Sequence, residues 1–287
     1  MQNLTNPGVI KELMQRHGVR FSKGLGQNFI INPGICPRIA REGGAGPGMG
    51  VLEIGPGVGV LTRELAAVSR RVVSVEIDTA LKPVLAETLA GLDNVRILWG
   101  DVMKTDLHAL LAEEFPGMEV VVCANLPYYI TSPVLMRLLE SRLPVRAVTV
   151  MVQKEAGARI CAPMPSRQSG AITAAVHYYS RPRMLFTVSR GSFLPAPKVD
   201  SAVIRLDTRE RPPVDVPDEA LFFKVVRGAF SQRRKTLLNS LSSSLELDKA
   251  ATATALERAG VPAGARAEAL RLEDFAAAAA ALAEAGL

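Results

Sequence analysis

Gly50-Val51-Leu52-Glu53-Ile54-Gly55-Pro56-Gly57-Val58-Gly59 runs an apolar strand into a glycine-rich turn, and the helical pattern of Val60 to Val68 follows at once. Strand, glycine turn and helix in that order open a doubly wound α/β domain, which holds its ligand beyond the carboxyl ends of its strands. Glycines allow a sharp turn and a close backbone approach to a ligand. The spacing also separates ligands. A dinucleotide fingerprint needs G-x-G-x-x-G, but residue 60 is Val, so the third glycine comes one residue early. Pro56 removes a donor that a pyrophosphate cradle would use, and Glu53 would repel a phosphate. Both suit a cationic ligand such as S-adenosylmethionine, with its sulfonium and ammonium charges.

The alternation continues outward from this turn. Strands are expected at residues 50–54, 71–76, 95–99, 119–124 and 147–153, with helices at 60–68, 79–89, 107–112 and 132–140 between them. Two more strands, 181–188 and 201–206, have no full helix between them and predict an antiparallel end to a mostly parallel sheet. Glu76 closes the second strand 21 residues after Gly55, where a carboxylate can accept both hydroxyls of a ribose. Asp78 competes with it but lies beyond the strand tip. Gly100-Asp101 ends the third strand, and Asp101 can accept from an adenine amino group.

The fourth strand, Val120 to Ala124, empties into Asn125-Leu126-Pro127-Tyr128. Pro127 fixes its own φ and biases Leu126 away from helix, which leaves carbonyls without helical partners. An amide, a bare carbonyl and an aromatic ring can grip a flat heterocycle bearing an amino group. An ordinary strand-to-helix turn uses the same residue types. The three acidic or glycine signals at the preceding strand ends favour the ligand reading. An adenine amino nitrogen is a poor nucleophile because its lone pair is delocalised. Acceptors on its N–H groups, the Asn125 oxygen and the Leu126 carbonyl, would turn that lone pair toward a methyl group with no general base and no metal.

The chain has 287 residues, enough for one large domain and one small. Its formal net charge is +6, and the whole excess, 23 basic against 17 acidic side chains, lies in residues 1–207. A polyanionic partner would therefore touch that part. Lys11, Arg16, His17, Arg20 and Lys23 make a basic opening segment within residues 1–25. Cys36, Cys123 and Cys161 are odd in number and widely spaced, which suggests neither disulfides nor zinc and fits a reducing cytoplasm. His17, His108 and His177 are equally scattered. Residues 1–9 are too polar for a signal peptide, and no apolar run is long enough for a membrane helix. Residues 209–217 hold three prolines and read as a linker. The expected organisation is a catalytic domain over 1–207, a linker over 208–217 and a small all-α domain over 218–287, with Asp218 as an N-cap.

Taken together, these motifs resemble the ribosomal RNA adenine dimethyltransferase family, specifically its bacterial small-subunit branch. Nearly the whole chain takes part. Gly26-Gln27-Asn28-Phe29-Ile30 resembles the family's opening motif, where Asn28 and Ile30 would contact the methionine end of the cofactor, although Asn28 alone reads as a helix cap and leucine is usual at position 30. The residues already singled out fall in the family's order, with Gly55 and Gly57 in the loop, Glu76 at the ribose, Asp101 at the adenine, and Asn125, Leu126 and Tyr128 at the target base. The stretch from Phe193 to Ser201 resembles a late signature that supplies a second aromatic, Phe193, to clamp that base with Tyr128. Ala229 to Leu237 resembles the small-subunit branch more than the macrolide-resistance enzymes of the large subunit.

The resemblance implies a Rossmann-like S-adenosylmethionine-dependent methyltransferase fold with a small helical C-terminal domain. It implies a cytoplasmic monomer that dimethylates two adjacent adenosines in a hairpin loop near the 3′ end of 16S rRNA, in the 30S subunit or its precursor, without a metal and with a part in subunit biogenesis. Two alternatives remain. One is a large-subunit rRNA methyltransferase of the resistance type, and the other is a non-catalytic assembly or transcription factor on the same fold.

Overall fold

The structure is a computed structural model that describes residues 2–20 and 26–286. In chain order it begins with α1 (Pro7–Arg16), β1 (Phe29–Ile30), α2 (Ile35–Glu42), β2 (Gly50–Ile54), α3 (Val60–Val68), β3 (Arg71–Glu76), α4 (Lys82–Thr88), β4 (Val95–Trp99) and α5 (Leu107–Glu114). Then come β5 (Val120–Asn125), α6 (Thr131–Glu140), β6 (Ala147–Gln153), α7 (Lys154–Ile160), α8 (Ala171–Tyr179), β7 (Ser180–Val188), β8 (Phe193–Leu194) and β9 (Ser201–Thr208). Helices α9 (Glu219–Phe230), α10 (Leu237–Leu245), α11 (Lys249–Arg258) and α12 (Leu272–Glu284) complete the chain.

Seven strands form one sheet in the order β4-β3-β2-β5-β6-β9-β7. β2 runs parallel to both β3 and β5, β3 to β4 and β5 to β6, while β9 is antiparallel to β6. β5 and β6 are valine-rich, and β2, β5 and β6 are almost wholly buried, as strands covered on both faces must be. The chain leaves β2 toward β3 on one side and returns to β5 on the other, so a crevice opens at that switch of direction. Leu61 and Leu65, one helical turn apart on α3, join Val51, Val72 and Val121 in one core. A second core gathers Ile10 and Leu13 of α1 with Val58, Leu81, Val84 and Leu85. A separate pair, β1 and β8, sets Phe29 opposite Leu194 and Ile30 opposite Phe193.

The doubly wound domain with an antiparallel end matches the expected fold, with local departures. The polar opening stretch is helical from Pro7, where proline costs nothing, and the Asn6 side chain caps it by accepting from the amides of Gly8 and Val9. Residues 79–89 divide into a 3-10 turn, Thr79–Leu81, and α4. Helix α8 escaped the sequence pattern because it is buried on nearly every face, which erases the 3.6-residue contrast.

By packing, the chain divides into Met1–Gly157 with Pro182–Thr208, and Ala158–Arg181 with Arg209–Leu287. Residues 158–181, expected in the first domain, therefore group with the C-terminal helices. The cause is aromatic. Tyr178 and Tyr179 pack against Phe222 and Phe223 with ring centroids 5.1 to 5.4 Å apart, and both hydroxyls reach Glu219.

At the start of β2, a Cβ on Gly50 would lie 2.3 Å from the Phe115 ring. Gly50→Ala should therefore destabilise the protein by about 1–3 kcal/mol through overpacking, read as a lower urea midpoint. Phe115→Leu in the same chain should recover part of that loss, as a double-mutant cycle would show.

Candidate active site

A cavity of about 260 Å³ lies at the switch of strand direction, lined by the ends of β2, β3 and β5, the loop after β4, and residues 26–30. The glycine turn after β2 forms its floor. Gly57 has φ +59°, and a Cβ there would sit 3.0 Å from the Phe29 ring, so only glycine fits. Gly55 has φ +71° with nothing within 4 Å of a Cβ position, leaving bare backbone beside the cavity.

Glu76 ties this turn to the end of β3. One carboxylate oxygen accepts from the Gly57 amide at 3.3 Å and the other from the Asp78 amide at 2.8 Å. Burial pushes the Glu76 carboxyl above its ordinary range, and the two amides pull it back. Each oxygen keeps a second lone pair for a ligand hydroxyl. Asp78 lies outside the cavity lining and caps the Thr79–Leu81 turn, accepting also from Gln27 Nε2 at 2.8 Å. Asp101 lines the cavity, one oxygen accepting from the Met103 amide at 2.9 Å.

On the opposite wall Asn125 is the last residue of β5, and its Nδ2 donates to the Asn28 carbonyl at 3.1 Å. Asn28 Nδ2 in turn donates to the Gly26 carbonyl at 3.0 Å. The amide of Asn125 thus has its nitrogen engaged on residues 26–28 and its oxygen on the other edge. Leu126 is buried beside it, and the half-buried Tyr128 is held by a 2.7 Å hydrogen bond between its hydroxyl and that of Ser201. Asn28, Ile30, Gly55, Gly57, Glu76, Asp101, Asn125, Leu126 and Tyr128 all line this one cavity.

Three sequence expectations meet a different placement. Phe193 does not line the cavity; it is 3% exposed, opposite Ile30, inside the core that also holds Val51 and Met151. Glu53 does not line the cavity either, because it lies one residue short of the end of β2, under α3, where its Oε2 accepts from Thr62 at 2.7 Å and Ser74 at 2.6 Å. Within the basic opening segment, Arg16 and His17 are both engaged by Glu87, at 3.0 and 2.6 Å. Lys23 lies outside the described residues.

Sequence reasoning also missed Ile77, Met103 and Tyr129, which line the cavity while remaining exposed. Only two charged side chains line it among the described residues, Glu76 and Asp101, and both are acids. That lining fits a ligand of positive charge with a ribose, as S-adenosylmethionine is, and not a pyrophosphate.

This strand order, with an acid-lined cavity at the switch between β2 and β5, is that of an S-adenosylmethionine-dependent methyltransferase. Residues 18–284 match the family described as Ribosomal RNA adenine dimethylase. The chain is 47% identical over 279 residues to the Ribosomal RNA small subunit methyltransferase A of Geobacillus thermodenitrificans, covering 96% of this chain and 95% of that one. It is 49% identical over 245 residues to the protein of the same name from Geobacillus kaustophilus, covering 85% and 84%. Among solved structures, a dimethyladenosine transferase from Plasmodium falciparum superposes with a TM-score of 0.75 at 26% identity, over 90% of this chain and 98% of that one. The 23S rRNA methyltransferase ErmE superposes with a TM-score of 0.67 at 28% identity, over 89% and 100%. The chain belongs to the ribosomal RNA adenine dimethylase family and is an S-adenosylmethionine-dependent rRNA adenine dimethyltransferase.

Burial pushes the Glu53 carboxyl from an ordinary 4.5 up to about 7, against the hydrogen bonds of Ser74 and Thr62. The folded chain then keeps this proton where the unfolded chain loses it, so stability falls as pH rises from about 4.5 to about 7, by roughly 3 kcal/mol in all. Glu53→Gln should remove that slope, leaving urea midpoints that change less between pH 5 and pH 7.5 than those of the unsubstituted protein.

Proposed function

We propose that this enzyme dimethylates two adjacent adenosines in the hairpin loop near the 3′ end of 16S rRNA, acting as a cytoplasmic monomer on the 30S particle or its precursor and so contributing to its biogenesis. The observation that carries the reading is a single one. The Asn125-Leu126-Pro127-Tyr128 acceptor turn and the acids Glu76 and Asp101 open on the same cavity. Identity of 47–49% to small-subunit methyltransferases, against 28% to the large-subunit enzyme ErmE, supports the choice of ribosomal subunit.

Asn28, Ile30, Gly55, Gly57, Glu76 and Asp101, with Asn125, would hold S-adenosylmethionine. When bound, S-adenosylmethionine supplies a methyl group activated on a sulfonium. Glu76 would accept the ribose hydroxyls on its remaining lone pairs, and Asp101 would accept from the adenine amino group. Asn125 presents its oxygen to the amino group of the target adenosine, because its nitrogen is already committed to the Asn28 carbonyl. The Leu126 carbonyl takes the second N–H. Two acceptors on one amino group draw its lone pair out of the ring, so no general base would be needed for attack. The N–C bond would form as the S–C bond breaks to leave a neutral thioether, and the proton shed by the nitrogen would pass to solvent. Tyr128 stacks on the extruded base, and its hydrogen bond to Ser201 fixes the ring. Phe193 serves by holding β1, and with it Ile30, against β8.

Labelled cofactor incubated with undermethylated small subunits should give dimethyladenosine at two neighbouring positions near the 3′ end of the RNA. Label in the large subunit, or none, would refute the proposal. Asn125→Ala should lower the transfer rate at least about 100-fold, a loss of the size seen when a positioned transition-state hydrogen bond is removed. Cofactor affinity, followed by calorimetry, should stay within a few-fold.

A further inference from the structure

Isolated exposed apolar side chains are ordinary on a protein surface. Here they are concentrated. Of five large exposed hydrophobic residues among those described, three line the active-site cavity, and Tyr129 is the most open of them at 61%. Its position is fixed from both directions along the chain. Tyr129 is the middle residue of the 3-10 turn Tyr128–Ile130, closed by the Ile130 amide donating to the Pro127 carbonyl at 3.1 Å and continued directly by α6. The Thr131 hydroxyl donates to the same carbonyl at 3.3 Å. The ring is also backed. A Cβ on Gly26 would lie 3.3 Å from Tyr129 Cε1 and 3.4 Å from the Pro127 Cβ, so the absence of a side chain at Gly26 is what lets the ring pack there. Tyr128 has its hydroxyl tied to Ser201, but among the described residues no hydrogen bond holds the Tyr129 hydroxyl.

A rigid turn therefore presents an aromatic ring to solvent at the cavity, one residue beyond the group that stacks the target base. We infer that Tyr129 is a stacking platform for a second nucleobase, the one adjacent in the strand to the adenosine in the cavity. The inference rests on the proposed function, because it takes the cavity's occupant to be a base drawn out of an RNA strand. Extruding one base strips its neighbour of a stacking partner. An aromatic ring at the cavity replaces that partner, and it does so without sequence readout because every base has a π-face. Since the two target adenosines are adjacent and the strand keeps its polarity, the base on Tyr129 is the other target in one register and the base flanking the pair in the other. Tyr129 would hold the RNA in both registers.

The test uses a hairpin RNA of the small-subunit 3′ end with 2-aminopurine at either adenosine, together with Tyr129→Phe, Tyr129→Leu and Tyr129→Ala in the full chain. Tyr129→Phe should keep the KM for RNA and the 2-aminopurine response of the unsubstituted enzyme. Tyr129→Leu and Tyr129→Ala should raise KM about 10- to 100-fold, the range of a lost base–aromatic stack, and lose the response of the neighbouring base. Cofactor affinity should stay unchanged within about twofold in all three. Normal KM in Tyr129→Leu would overturn the inference by showing that bulk suffices. Equal loss of cofactor binding in Tyr129→Ala would overturn it by making the ring a wall of the cofactor site. A Tyr129-dependent response without any dimethyladenosine would instead sink the proposed function and leave the platform standing.

Discussion

One buried carboxylate holds the site together. Glu76, 5% exposed at the end of β3, accepts from the Gly57 amide of the neighbouring loop and from the Asp78 amide of its own. Parallel pairing places Ile54 beside Val75, so β2 and β3 end level and their loops meet at this side chain. Those two hydrogen bonds stabilise the positive-φ turn at Gly57, and that turn brings the Phe29 ring against the glycine. Residues 26–30 are positioned in consequence, and Asn28 there receives the Asn125 amide from the far wall. The two walls of the cavity are thus linked through backbone carbonyls and amides. A ligand that engages Glu76 bears on the whole circuit.

Burial of two acids near each other needs an account, since desolvation disfavours each as a charge. The structure treats them differently. Glu53 accepts two hydroxyls on one oxygen while its other oxygen has no partner among the described residues, and its carboxyl is pushed up to about 7. Glu76 faces the cavity and receives backbone amides on both oxygens, which favour its ionised form. The first is a packing residue between sheet and helix. The second is equipped to meet hydroxyl donors. The difference follows from position along the strands, because Glu53 pairs in register with Ser74, two residues short of Glu76 on the same face, whereas Glu76 ends its strand at the cavity.

The doubly wound order was legible because the buried parallel strands are short, mostly apolar runs separated by helical stretches and because Gly55, Gly57 and Gly59 mark the first turn. Most of the cavity was legible for the same reason, since ligand groups cluster at strand ends. What could not be read concerns the direction of side chains and packing between distant segments. Glu53 and Glu76 are both acids near a strand end, and only the register shows that the first lies two residues deeper than the second on the same face. Phe193 sits in a signature that reads as a base clamp, yet the two-residue ladder with Ile30 turns it into the core. Tyr128 and Tyr129 are adjacent and chemically identical. Only the 3-10 turn after Pro127 decides that the first bonds to Ser201 and the second stands open. Residues 158–181 carry no boundary signal, because Tyr178 and Tyr179 find their aromatic partners about 40 residues later in the chain.

Charge is divided within the catalytic unit in a way that bears on how RNA must enter. The net basic excess of the chain lies in residues 1–207, but the cavity in that same region is lined by two acids and by no basic side chain among the described residues. A phosphate carried into the cavity would meet Glu76 and Asp101 without a counter-charge among the described residues. The polyanionic backbone is therefore favoured outside, on basic surface, while an uncharged base is the only part of a nucleotide that can enter at little electrostatic cost. That division favours an extruded base over a base approached within its helix. The same acids attract a cationic cofactor. A single electrostatic pattern thus selects one ligand for its charge and admits from the other only its neutral part.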